Sequence, residues 1–165
     1  MKTIEKVYRE FCRERFPLPT EQQVSDLERR IHVSFPGDYR RFLLEFNGGY
    51  FSEPYIQPPE DADEGCPHLA LNLLNGIGAS HPTAELARPF DLRLFDDNDP
   101  PKIVPIGDTP ENALIILYTQ PEGRGQIFLK EPSGGWYFLA YGIEEFFQLL
   151  HDWPEEWKKY RQPQG

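Results

Sequence analysis

Cys66, His68 and His81 are residue types from which metal sites and nucleophilic centres are built, and they share one short stretch of the chain. A structural or catalytic zinc site takes three or four ligands at motif spacing. Cys66-Pro67-His68 with one more distant histidine does not meet that pattern, and loop or strand-edge positions explain these residues as well. Gly76-Ile77-Gly78-Ala79-Ser80-His81 places two glycines beside a serine and a histidine. Pro82 stands where a Gly-x-Ser-x-Gly elbow needs glycine, and His81 stands where Gly-x-Gly-x-x-Gly needs its last one. Two glycines at a strand exit are what remains. His32 and His151 lie beside expected helix ends, where capping or solvent exposure is the ordinary role. The expectation is a protein without enzymatic chemistry, bound metal or cofactor.

Carboxylates are the abundant ionisable groups. Residues 52–67 carry Glu53, Glu60, Asp61, Asp63 and Glu64 and no Lys or Arg, and Asp96, Asp97 and Asp99 follow in a second acidic loop. Packing like charges into one segment raises self-repulsion, whereas a cationic partner would be drawn to it. These eight residues, with Tyr55, are the candidate partner-contact positions. Tyr55 has two readings: an interface anchor that offers apolar area with a polar tip, or a ring that pins the loop to its own domain. The acidity is regional. Residues 1–41 carry nine Lys/Arg against seven Asp/Glu, while residues 42–165 carry eight against twenty, and the chain's net charge is −10. Such a body repels nucleic acid and anionic membrane and steers basic partners toward itself; solubility alone is the other reading.

The elements that position these residues follow from apolar spacing. Ile4, Val7, Tyr8, Phe11 and Cys12 form one stripe, so a first helix is expected over Thr3 to Phe16 with Thr3 as its cap. Thr20 and Gln23 match a capping box, opening a helix that carries Val24, Leu27 and Ile31 inward and Glu28, Arg29 and Arg30 outward. Pro36 suits the first turn of a third helix whose stripe is Tyr39, Phe42, Leu43 and Phe46, closed by Asn47-Gly48-Gly49. Residues 52–67 show no usable period and read as a long loop. An alternating run begins at His68, and a short helix is expected over Thr83 to Ala87. Strands are expected at Ile103–Asp108, at Ala113–Thr119 with both faces covered, at Gln126–Glu131 and at Trp136–Tyr141, forming an antiparallel meander. Ile143, Phe146, Phe147 and Leu150 place a last helix on that sheet, and residues 154–165 are a polar tail.

At 165 residues, with 39% hydrophobic and 14% aromatic side chains, the chain is expected to form one α+β domain over residues 1–165. No apolar run approaches the roughly 20 residues of a membrane span. Charges at Lys2, Glu5 and Lys6 interrupt the place where a signal peptide needs apolar residues, which points to the cytoplasm. Cys12 and Cys66 make no disulfide framework.

Two blocks carry a resemblance. Ser34-Phe35-Pro36-x-Asp38-Tyr39-x-x-Phe42-Leu43-x-x-Phe46-Asn47-Gly48-Gly49 resembles the hallmark of the SUKH superfamily, the group typified by yeast cell-wall assembly regulators. Ile106-Gly107-Asp108, the strands after it and the helix with Phe146-Phe147-x-Leu149-Leu150 are similar to that family's second block. Phe35 replaces the commoner leucine, and Thr109-Pro110-Glu111-Asn112 stands where a glycine-rich acidic segment is usual. The resemblance implies three N-terminal helices, a mixed or mostly antiparallel sheet with a C-terminal meander, and a packed C-terminal helix. It also implies a bacterial immunity protein that binds and neutralises a cognate toxin domain. A scaffold or regulatory module in cell-wall or signalling assemblies is the alternative that the fungal relatives suggest.

Overall fold

A computed structural model describes residues 3–91 and 103–158. Thr3 opens the first helix by accepting a hydrogen bond from the Lys6 amide, and α1 runs Ile4–Phe11. It stops a turn sooner than its apolar spacing suggests. Cys12–Arg15 leave it as strand β1. Glu14 and Arg15 had no burial to gain in a further helical turn, and helix propensity is a weak prior against the backbone partners that a neighbouring strand offers.

Thr20 and Gln23 form the reciprocal capping box, and α2 spans Glu21–Ile31 with Val24, Leu27 and Ile31 buried. Glu28 departs from its expected exposed position. It is half-buried, and its carboxylate accepts from the Phe35 amide at 2.8 Å and from Arg40 Nε at 3.1 Å, tying α2 to the next helix. That helix, α3, spans Gly37–Glu45; Pro36 immediately precedes it instead of lying in its first turn. Tyr39, Phe42 and Leu43 are buried, and Asn47 and Gly48 close the helix at φ of 61° and 79°. Strand β2 (Gly49–Phe51) follows directly.

The segment expected to be a periodless loop contains a two-residue strand, β3 (Tyr55–Ile56). The run after His68 divides into β4 (Leu69–Ala70) and β5 (Leu73–Leu74), and Ala70, Leu71, Leu73 and Leu74 are all buried, so simple alternation does not hold. In place of the helix expected over residues 83–87 there is a 3-10 turn at Pro82–Ala84, with α4 (Arg88–Asp91) after it. The meander is as expected: β6 (Ile103–Asp108), β7 (Leu114–Tyr118), β8 (Ile127–Lys130) and β9 (Trp136–Ala140). Then come α5 (Ile143–Gln148), β10 (Leu150–His151) and α6 (Glu155–Lys158).

The strands form a seven-stranded sheet of order β1-β2-β5-β6-β7-β8-β9 and a small sheet of order β10-β3-β4. The pairings between these strands are all antiparallel, and among the described residues one isolated bridge, Gly76 to Glu85, is parallel. Consecutive burial of Ile115, Ile116 and Leu117 shows that β7 is covered on both faces. On one face α5 packs against β9, α1 and α3. Phe146 and Phe147 are fully buried there, and the Phe147 ring lies 5.5 Å from Phe42 and 6.4 Å from Phe51. On the other face Phe16, Leu73 and Ala84 form a smaller cluster, because Leu73 and Leu74 point to opposite sides of their strand. The architecture is α+β. Among the described residues no helix is long and apolar enough to cross a membrane.

Candidate partner-binding surfaces

The two hallmark blocks prove to be fold-building. Asn47 is fully buried; its Nδ2 donates to the carbonyls of Pro17 at 2.7 Å and Ile77 at 2.8 Å, and its Oδ1 accepts from the Ile77 amide at 2.9 Å. Gly76 is therefore a close-approach position: a Cβ there would stand 2.2 Å from the Asn47 carbonyl oxygen. Tyr8 of α1 donates its hydroxyl to the Gly48 carbonyl, and burial pushes its phenol well above the ordinary range. In the second block, Ile106 is core, while Asp108 accepts from Asn72 Nδ2 at 2.9 Å. Burial raises the Asp108 carboxyl, and the Asn72 hydrogen bond offsets part of that rise.

The reactive residue types are not brought into one constellation. His68 is stacked on Tyr55 and Trp157, whereas His81 lies 3.4 Å from Glu14 and edge-on to Tyr50. Burial pushes the Cys66 thiol up, with a further rise from the Glu131 and Asp63 carboxylates, so it is protonated at neutral pH. Cys12 is raised by burial as well. Among the described residues no group of three or more His, Cys, Asp and Glu is placed to hold a metal ion.

The acidic segment has an ordered underside and a charged outer side. Glu53, Glu60, Asp61, Asp63 and Glu64 are all exposed. Tyr55 is not: it is 6% exposed, so the pinning reading holds and the exposed-anchor reading is corrected. Its hydroxyl lies 2.6 Å from His68 Nδ1, and its ring meets Trp153 at 4.9 Å. Burial raises the Tyr55 phenol. Pairing of β3 with β4 and β10 buries this position, a long-range effect that local spacing does not announce. The Trp153 indole N–H donates to the Glu53 carbonyl, and tight turns at Pro59–Ala62 and Asp63–Cys66 complete the segment. Asp96, Asp97 and Asp99 lie outside the described residues.

A second surface was not legible from the sequence. A cleft of about 700 Å³ opens between α1, α3 and α5. Phe42, Phe46 and Ile4 contribute its apolar lining, and Glu5, Glu45, Glu144 and Glu145 its rim, with Tyr141 beside them. Tyr141 is 67% exposed, and its backbone amide donates to Glu145 Oε2. Its ring ends a row of aromatics that crosses the meander: Tyr118 to Phe128 at 4.4 Å, Phe128 to Phe138 at 5.6 Å, Phe138 to Tyr141 at 4.7 Å. The one sequence signal was a set of glutamates lying off the apolar stripes of α3 and α5. Such residues read as solvated faces until the helices are docked side by side.

A 27-residue segment of the chain is 52% identical to Uncharacterized protein YnaB of Bacillus subtilis (strain 168). That match covers 16% of this chain and 19% of the relative. The model of the SMI1 / KNR4 family (SUKH-1) matches residues 18–149, from the turn before α2 to the end of α5, and so takes in the first hallmark block and all of the second but Leu150. The chain belongs to the SMI1 / KNR4 family (SUKH-1).

Proposed function

We propose that this protein is a bacterial immunity protein, which binds a basic toxin domain in the cytoplasm and occludes its active site without chemistry of its own. A nuclease is the toxin class favoured, because a surface that holds nucleic acid is itself cationic. The family includes immunity proteins. The observation that carries the reading is the outer side of residues 53–64, where five carboxylates are exposed on a segment held from beneath by Tyr55. Held in place, these charges act as a fixed field that accelerates encounter with a cationic partner.

The test uses the cognate toxin domain, which this reading expects to be encoded beside this gene. A chain carrying Glu60→Lys, Asp61→Lys, Asp63→Lys and Glu64→Lys should associate more slowly, with a flatter dependence of rate on salt. Its melting temperature should stay near that of the unaltered chain, since all four side chains are exposed. A variant that associates and protects as the unaltered chain does would show this segment to be a solvated surface only.

A further inference from the structure

We infer that the cleft between α1, α3 and α5 is a second contact surface for the same partner, and that it takes a segment presenting an apolar side chain flanked by Lys or Arg. The inference rests on the immunity reading and adds to it a location and an anchor. No residue of the acidic segment 52–67 lines this cleft, so the two surfaces can be altered separately.

Three observations converge. The lining is apolar where the half-buried Ile4 and Phe46 lie over the buried Phe42, and a depression of about 700 Å³ is large enough to take a partner's side chains. The rim is mostly acidic: among the described residues Glu5, Asp38, Glu45, Glu144 and Glu145 share the lining with one cation, Arg41. Glu5 is paired with Arg9 at 2.6 Å, but Glu45 and Glu144 have no cationic partner among the described residues. Two carboxylates with no ion pair among the described residues, beside an apolar floor, are complementary to an apolar residue with basic neighbours. Lastly, Tyr141 stands 67% exposed at the rim, while its backbone is held by Glu145. Tyrosine is among the residue types enriched at interface hot spots, and a partner seated in the cleft would cover this exposed ring.

Charge at residues 60–64 governs encounter, and the cleft governs residence. The two therefore separate kinetically. Tyr141→Ala combined with Glu45→Lys and Glu144→Lys should speed dissociation of the toxin domain about tenfold or more and change association less, at an unchanged melting temperature. If the toxin dissociates from this variant as slowly as from the unaltered chain, the cleft assignment is overturned while the immunity reading stands.

A toxin that does not bind the unaltered chain at all would sink that reading instead, and the cleft would then be decided by a peptide. Amide shifts of the labelled full chain, titrated with Arg-Arg-Leu-Arg-Arg, should move at residues 4–5, 45–46 and 141–145. The control Arg-Arg-Ser-Arg-Arg should move them less. Shifts spread evenly over residues 60–64 and the cleft, or absent from the cleft, would overturn the assignment. So would a concentration-dependent dimer of the unaltered chain that the triple variant abolishes, because the occupant would then be a second copy.

Discussion

Asp38 Oδ2, in the first turn of α3, accepts a hydrogen bond from the backbone nitrogen of Ile143, the first residue of α5, at 3.2 Å and across 105 residues of chain. Gly142 at the α5 N-cap has no side chain to do this, so a carboxylate from another helix satisfies the exposed end. The same bond docks α3 to α5 and so shapes the cleft between them. A Cβ at Gly142 would stand 2.6 Å from that oxygen, which explains why glycine occupies the position.

Asp38→Ala is expected to lose about 1 kcal/mol, a fall of roughly 2–4 °C in melting temperature for a chain of this size. Asp38→Asn, which keeps an oxygen acceptor, should recover most of the loss. Gly142→Ala displaces the same contact, so the double variant Asp38→Ala/Gly142→Ala should be less than additive. Thermal denaturation of the four variants decides it; additive effects would mean that the two positions act separately.

Tyr39 is the neighbour of Asp38 and behaves oppositely. Its ring packs against Phe35 at 5.3 Å and Phe42 at 6.1 Å, but its hydroxyl is buried with no hydrogen-bond partner among the described residues. A buried donor left unpaired costs free energy, whereas removing it leaves the packing intact. Tyr39→Phe should therefore leave stability unchanged or raise it by about 1 kcal/mol. A clear loss in chemical denaturation would mean that the hydroxyl is paired.

Asp108 supplies a pH dependence. Burial raises its folded-state pKa above the unfolded value, so the folded chain binds the proton more tightly. The resulting penalty is fully present above the folded pKa. It diminishes as pH falls and vanishes below the unfolded value of roughly 4. Asp108→Asn keeps an acceptor for Asn72 and removes the charge. Its melting temperature should equal or exceed that of the unaltered chain at pH 7, with the difference shrinking toward pH 4. Calorimetry across that range would refute the account if the variant were less stable at neutral pH.

What could be read from residues alone was whatever short-range spacing encodes. Thr3 and the Thr20–Gln23 box start their helices as expected, the strands from Ile103 to Ala140 pair as the expected antiparallel meander, and Phe146 and Phe147 face the core. Each depends on neighbours within a few positions, and a period of 3.6 or 2 is visible in the chain itself. The turn at Asn47-Gly48, which leaves a helix in the left-handed region, was legible for the same reason, while the family came from the resemblance of the two blocks.

Tertiary structure decided the rest. Cys12–Arg15 became a strand because β2 lies beside it, and Tyr55 became a buried pin because β4 and β10 close around it. Asn47 shows the division within one residue. Its backbone conformation follows from its type and its glycine neighbours. Its three side-chain hydrogen bonds to Pro17 and Ile77 each cross 30 residues of sequence, and they exist only because the chain returns on both sides of it. Glu45 and Glu144 likewise meet across one cleft by helix docking, not by spacing. Contacts of this range depend on which elements pack together, and that is set by the whole core at once.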